Sequence, residues 1–229
     1  IVFNDNDINP DFNKYMSFVD YLISPKSISK EYYKSIGVKE DSLIQFDGFK
    51  EDIYIADYEP DPEFLKQFPF TEFVALRPEN LQATYSLKNT ISIVPKILRL
   101  LEKKNINVLL LPRYNSDLEY AKHHKNVFIP KSGLNGLDVC YYSKAVLTGA
   151  GTFSREAACM GRCAVSFFSG KKLLSVDKNM IKKGWVFHSR DSNEIVDYIM
   201  ARDKDTTDLR RSKMVQRELF DKLSEICVI

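Results

Sequence analysis

The stretch Thr148–Phe168, TGAGTFSREAACMGRCAVSFF, decides how the chain is read. It leaves the apolar run Ala145–Leu147, puts Gly149 and Gly151 in a turn, passes through a small-residue segment with helical spacing and enters a second apolar run. The chain has only nine glycines, so two within three residues mark a backbone that turns sharply or admits a close neighbour. Strand, glycine turn and helix in that order form the repeating unit of an open parallel sheet, whose ligands sit beyond the carboxyl ends of the strands. Such a turn admits a phosphate, and the N–H groups and dipole of the following helix favour its charge. Tight strand-to-helix packing is the alternative. The bare pattern leaves both open, because it lacks a GK[ST] ending and Ser154 stands where GxGxxG would have its third glycine. Glu156 adds a carboxylate able to accept hydrogen bonds from a ribose diol, although the dipole alone also favours an acid near a helix start.

The same alternation extends outward. Strand candidates are residues 73–77, 107–112, 126–130, 145–149, 163–168 and 185–189. Between them Ile91, Val94, Ile97, Leu98 and Leu101 recur at helical spacing, as do Ile195, Val196, Ile199 and Met200. Pro95 fits an early helical turn, Asp191 or Ser192 a cap, and Gly161 a stop. Near-continuous apolar strands alternating with helices predict an α/β fold with a parallel sheet covered on both faces, here a Rossmann-like domain over 72–205. Residues 1–55 alternate too: IVFND, a helical pattern over 13–18, the strand YLISP, the helix ISKEYYKSIG and the run LIQFDG. Three strands are too few for a closed core, so they read as the C-terminal part of a second Rossmann-like domain. The opening Ile1-Val2-Phe3 looks like mid-strand, which leads us to expect a longer parent protein. Residues 56–71, with Pro60 and Pro62 around an acidic turn, read as a linker. Residues 206–229 read as a C-terminal helix, with Leu209, Met214, Leu219 and Leu223 spaced to pack back across it.

Composition narrows the function classes. The 229 residues are 44% hydrophobic, enough for a sizeable core. Thirty-three basic against 31 acidic residues give a net charge of +2, which argues against a nucleic-acid partner. The pairs Lys171-Lys172 and Lys182-Lys183 read as solvated faces. Cys140, Cys159, Cys163 and Cys227 form no CxxC pair and read as buried thiols of a cytoplasmic protein. No apolar run reaches the roughly 18 residues of a membrane span, so any membrane association would be peripheral. No His, Cys or Asp set has metal-ligand spacing, and His123, His124 and His188 read as turn or surface residues.

Several motifs together resemble a known family. RPEN at 77–80 is similar to the end of the HRREN motif of non-hydrolysing UDP-N-acetylglucosamine 2-epimerases, GAGTFSREA at 149–157 to their SGG-x-QEEA, and GRCAVSFF at 161–168 to their GKPVLV strand. Residues 11–38 followed by IQFDGFKEDI resemble the segment from their E-x-NR motif into GN-x-x-ID. RPE, GAGT-x-x-REAA and FHSRD also resemble the motifs of a largely archaeal domain-of-unknown-function family of glycosyltransferase-like proteins. The resemblance implies a GT-B fold, two Rossmann-like domains around a sugar-nucleotide cleft. It implies that Gly149, Ala150, Gly151 and Thr152 meet the diphosphate, Glu156 the ribose, and Phe128, Ile129 and Pro130 the base. Arg113, Ser169, Gly170 and Lys171 would meet the donor sugar or its phosphates.

Arg77 and Glu79 are candidates for catalysis or for a structural ion pair. Asp5 and Asp7, within Asn4–Asp7, are candidates for the base that activates an acceptor or for a solvated Asx turn. Leu76 departs from the epimerase pattern, which has a histidine there, and leucine transfers no proton. The expected function is therefore sugar transfer from a nucleotide donor, a UDP-sugar, with no cofactor and no essential metal. The acceptor is open, a lipid-linked glycan being one class, and a homodimer is compatible. An epimerase-like enzyme and a non-catalytic sugar-nucleotide-binding subunit are the alternatives.

Overall fold

The computed structural model describes residues 1–9, 13–83, 90–202 and 207–226. Its strands fall into two parallel sheets. The first orders β1 (Val2–Phe3), β2 (Leu22–Pro25) and β3 (Leu43–Phe46) side by side in sequence order. The second has six strands, β4 (Val74–Arg77), β5 (Val108–Leu110), β6 (Val127–Phe128), β7 (Ala145–Thr148), β8 (Cys163–Ser166) and β9 (Val186–His188), in the order β6-β5-β4-β7-β8-β9. The chain thus builds outward from β4 to one edge, returns to the centre, and builds outward again from β7. At that reversal the helices after β4 and β7 lie on opposite faces, the arrangement in which open α/β sheets form a ligand crevice beyond the carboxyl ends of the strands. Register brings Arg77 beside Thr148, and Thr148 beside Ser166. The glycine turn follows directly.

Strand alternation sorts side chains between the two faces of the large sheet. Ala75, Leu109, Val146, Ala164 and Val186 face one core, with Val139 and Cys140 of α4 (Gly136–Tyr142), Phe153 and Ala157 of α5 (Gly151–Cys159), and Val176 and Met180 of α6 (Ser175–Lys182). Val74, Leu76, Val108, Leu110, Ala145, Leu147 and Val165 face the other. There they meet Val94, Ile97, Leu98 and Leu101 of α3 (Val94–Lys103) and Ile195, Val196 and Ile199 of α7 (Ser192–Met200). Asp191 caps α7 by accepting from the N–H groups of Asn193 and Glu194, Pro95 lies in the first turn of α3, and Gly161 ends α5 with φ +73°. Ile91 departs from expectation: it precedes α3 and is 84% exposed. Within 13–18, Asn13 is helical and Met16–Phe18 form a 3-10 turn rather than one continuous helix. Cys140, Cys159 and Cys163 are buried free thiols, whereas Cys227 lies outside the described residues.

The small sheet packs Leu22 with Met16, Ile28 and Val38, and with Tyr33 of α1 (Lys30–Ser35). Its other face, Ile23 and Phe46, is covered by Val215 and Leu219 of α8 (Arg210–Ile226). The C-terminal helix therefore completes the N-terminal unit. Asp52 of α2 (Lys50–Ile55) is fully buried, and its carboxylate accepts from Ser212 Oγ at 2.9 Å, from Arg211 and from the Phe49 N–H. The segment read as a linker is packed down on the large sheet. Phe64 stacks on Tyr142 with centroids 5.3 Å apart, Phe68 and Phe70 pack on Phe73, and the Tyr58 hydroxyl donates to Asp138 at 2.6 Å.

Gly48 lies beneath α8, where a Cβ would come within 2.3 Å of Val215 Cγ1. Gly48→Ala is expected to lower stability by about 1–3 kcal/mol through overpacking. Urea unfolding of the single variant and of Gly48→Ala with Val215→Ala checks this: the second substitution makes room for the added methyl, so the double variant should lose less than the sum of the two.

Candidate functional site

The turn after β7 is built by its own polar atoms. Thr148 is fully buried and its Oγ1 accepts from the Ala150 N–H at 3.1 Å, while the Gly149 N–H donates to the Arg77 carbonyl at 3.1 Å. Ala150 precedes α5 in an extended conformation and has no side chain to cap it. The helix therefore begins at Gly151 with its leading N–H groups uncapped by a side chain, a local excess of positive charge.

The two glycines answer to different neighbours. At Gly149 a Cβ would lie 2.5 Å from Glu79 Cα and 2.7 Å from the Glu79 nitrogen, so this glycine lets the RPEN backbone pack on the turn. At Gly151 a Cβ would meet Arg155 Nη1 at 2.6 Å and both Asp177 carboxylate oxygens at 3.2 Å. Gly151 thus leaves room for an ion cluster. Arg155, with 4% of its side chain exposed, donates from Nε to Glu51 at 2.8 Å, from Nη1 to Asp177 at 2.8 Å and from Nη2 to Thr152 Oγ1 at 3.3 Å, with Asp5 3.6 Å away. Burial opposes charge on this guanidinium, but Glu51 and Asp177 outweigh it and hold the arginine more firmly protonated than usual. Residues from β1's loop, α2, α5 and α6 meet at this one side chain.

Glu156 is half-buried beside the start of α4, with its Oε2 3.8 Å from the position a Cβ on Gly136 would take. Its carboxylate accepts from the Tyr54 hydroxyl at 2.8 Å. Burial pushes the Glu156 carboxyl above the usual range; the Tyr54 hydrogen bond and the charges of Arg155 and Arg77 oppose this, and Glu51 adds to it. Arg77 is half-buried, and its Nε is enclosed without a hydrogen-bond partner among the described residues.

Glu79 does not stand open to the crevice. Its side chain is wholly buried and accepts from Ser92 Oγ at 2.7 Å, from the Ile93 N–H at 3.2 Å and from Arg190 at 3.3 Å. The ion pair of RPEN is therefore with the arginine of FHSRD, not with Arg77, and its carboxylate is occupied in joining β4, α3 and β9. Arg113 donates from Nε to the Pro78 carbonyl at 2.8 Å, and the Tyr114 hydroxyl donates to Asn80 at 2.6 Å, so both support the RPEN turn. Phe128 packs edge-on against Phe68 and Phe70, Ile129 lies against the α3 and α7 core, and Pro130 is half-buried beside them. Ser169 is buried, Gly170 half-buried and Lys171 exposed.

In Asn4–Asp7 the Asx turns belong to the asparagines: Asn4 accepts from the Asn6 N–H at 2.9 Å and Asn6 from the Ile8 N–H at 3.1 Å. The aspartates reach across to other elements. Asp5 lies 2.9 Å from Lys50 Nζ, and Asp7 accepts from the Ser175 N–H at 3.0 Å and hydroxyl at 2.6 Å, capping α6. His188 is half-buried beside Ser166, and burial holds its pKa below the ordinary value. Among the described residues no three His, Cys, Asp or Glu side chains are grouped to hold a metal, and no helix is long and apolar enough to cross a membrane.

Arg155, Glu51, Asp177, Tyr54 and Arg190 were not singled out as site residues by the sequence. The one signal for Arg155 is a basic side chain in the helix GTFSREAAC, whose other residues apart from Glu156 are uncharged and mostly small, and sequence does not reveal which carboxylates face it.

Two parallel Rossmann-like units meeting at a glycine turn at the sheet's switch point define the GT-B-like class of α/β proteins. The chain belongs to the family described as "Protein of unknown function (DUF354)", whose model matches residues 1–228. It is 29% identical over 194 residues to Uncharacterized protein MJ0665 of Methanocaldococcus jannaschii, covering 80% of this chain and 55% of that protein. The fold is similar to that of the UDP-GlcNAc 2-epimerase of the same organism solved in complex with UDP-GlcNAc and UDP (TM-score 0.61, 15% identity, 89% of this chain and 61% of that one). It is also similar to a glycosyltransferase of Rickettsia africae (TM-score 0.52, 12% identity, 96% and 68%). The chain spans little more than half the length of its curated relative.

Arg155→Met leaves Glu51, only 1% exposed, without its guanidinium. Removing one partner of a buried ion pair typically costs about 3–5 kcal/mol. Urea unfolding should show a loss of that order, and adding Glu51→Gln should recover part of it.

Glu156 supplies a pH-dependent test. Because its folded-state pKa is raised, its contribution to stability is complete below the unfolded value and is lost as pH rises through the folded one. Glu156→Gln should therefore melt higher than the native protein at pH 7, and the gap should close as pH falls toward 4. Melting curves across that range check the sign.

Proposed function

We propose that this chain carries the nucleotide side of a sugar-nucleotide-dependent glycosyltransferase of the GT-B type with a UDP-linked donor. The observation that carries the reading is the uncapped start of α5 at Gly151, at the switch point between β4 and β7, with Glu156 a turn and a half further on. A diphosphate at this turn accepts hydrogen bonds from the Gly151 and Thr152 N–H groups and gains from the helix dipole. Glu156 accepts from the ribose hydroxyls, a contact for which the Tyr54 hydroxyl is the present substitute. Arg77, whose Nε lacks a partner among the described residues, supplies a guanidinium for a phosphate or donor-sugar oxygen. Lys171, exposed after β8, adds positive charge for the departing diphosphate.

In such a transfer an acceptor hydroxyl attacks the anomeric carbon, the bond to the diphosphate breaks, and the charge that develops on it is met by preorganised N–H groups and cations. Backbone and side-chain donors suffice for that in our reading, without an essential metal. Asp5, 3.6 Å from Arg155, and Asp7, bonded to Ser175, are the carboxylates this reading gives to the acceptor once their bonds to Lys50 and Ser175 open. Leu76 weighs against epimerisation, because it is fully buried in the core beneath Arg77 and puts no ionisable group where proton transfer at the sugar would need one.

Isothermal titration of the full chain with UDP should give saturable binding. Glu156→Ala should weaken it about tenfold or more, the worth of hydrogen bonds to a charged group at about 1.5–3 kcal/mol. Equal affinity in both proteins removes the ribose assignment. In deuterated water with UDP-N-acetylglucosamine alone, NMR should show no deuterium at sugar C2; steady exchange there would turn the reading to the epimerase.

A further inference from the structure

Two neighbouring residues of α5 meet two residues of α2, and the two meetings differ in kind. Glu51 and Tyr54 share a face of α2, as residues three apart on a helix do. Beneath, Arg155 pairs with Glu51 at 2.8 Å, and both side chains are all but closed to water. At the rim the Tyr54 hydroxyl donates to Glu156 Oε1 at 2.8 Å, and Tyr54 is 42% exposed. Opening the first contact would leave a buried charge without its partner. Opening the second only exchanges a protein partner for water on an exposed phenol. The rim contact is the one a ligand can replace.

We infer that Tyr54 is an internal competitor for the nucleotide: its hydroxyl occupies the Glu156 carboxylate in the free chain, and a ribose diol binds there by displacing it. The inference rests on the ribose assignment under Proposed function and adds the group that limits its strength. A vicinal diol brings two O–H donors, which match the two oxygens of one carboxylate. Here Tyr54 takes Oε1, and Oε2 lies toward the start of α4, 3.8 Å from the position a Cβ on Gly136 would take. Both oxygens serve the diol only when the phenol lets go. Partial burial and the charges of Glu156 and Glu51 hold the Tyr54 pKa well above its ordinary value, so the phenol remains a neutral donor. The exchange is therefore one O–H group for two. Because the free chain spends part of its time with Glu156 covered, its apparent affinity is lowered by the fraction that is open.

The exchange also crosses between the units. Tyr54 sits on α2, which α8 grips through Asp52, whereas Glu156 sits on the helix that begins at the glycine turn. A nucleotide on Glu156 thus removes the rim contact between α2 and α5 and leaves the Arg155–Glu51 pair beneath it in place.

Calorimetry on the full chain tests this at pH 8. That pH favours the charged form of Glu156 even when the Tyr54 bond, one of the influences that lower its pKa, is gone. Tyr54→Phe keeps the ring and removes the hydroxyl. It should bind UDP about three- to tenfold more tightly than the native chain, the range expected for releasing a rim hydrogen bond to a charged group. Inorganic pyrophosphate, which has no ribose, should gain nothing. In a Glu156→Ala background Tyr54→Phe should leave UDP affinity unchanged, because the two side chains act as one unit. Equal or weaker UDP binding by Tyr54→Phe overturns the inference, as does a gain that pyrophosphate shares or that survives Glu156→Ala. UDP binding by the native chain with no gain in Tyr54→Phe removes the competitor and leaves the donor reading standing. UDP binding by neither chain removes the donor reading and the competitor with it.

Discussion

Arg155 is the interaction on which the relation between the two units depends. Its guanidinium is shut away from water and shared among Glu51, Asp177 and Asp5, so the N-terminal loop, α2, α5 and α6 are held to one point. A buried arginine is tolerable only when its charge and donors are matched, and here the planar fork meets two carboxylates at 2.8 Å. The cluster also explains Gly151. A side chain there would collide with Arg155, so the geometry that positions the units and the geometry that opens the start of α5 are one constraint.

A second buried acid organises the other side of the crevice. Glu79 gathers Ser92, the Ile93 N–H and Arg190, which fixes the RPEN turn over Gly149 and ties the motif after β4 to the one after β9. With Arg155 and Glu79 committed to structure, the proposed donor site draws on the α5 N–H groups, Arg77, Glu156 and the exposed Lys171. Glu156 carries a cost, since burial raises its pKa and disfavours its charged form.

The return of α8 to the small sheet makes the architecture continuous. Val215 and Leu219 cover Ile23 and Phe46, and Asp52 anchors Arg211 and Ser212, so the last helix buries a face that the first three strands leave open. The segment between the units adds its own aromatic contacts to the large sheet rather than spanning a gap. Both links restrict how the units can move about the Arg155 cluster.

The sequence by itself determined what local chemistry determines. Apolar strand runs, helical periods, the Asp191 cap, the Gly161 stop and the glycine turn after Leu147 could all be read from residue order, because each depends on neighbours a few positions away. It misplaced Ile91 as helical, since one apolar residue in register says nothing about where a helix starts. It offered an ion pair of Arg77 with Glu79 as one of two alternatives, whereas the tertiary fold brought Arg190 to Glu79 across 111 positions. It offered Asp5 and Asp7 as a base for an acceptor or as part of a solvated Asx turn. Their actual bonds to Lys50 and Ser175, and the meeting of Glu51 and Asp177 on Arg155, depend on how two sheets face each other, and no residue pattern along the chain encodes that distance.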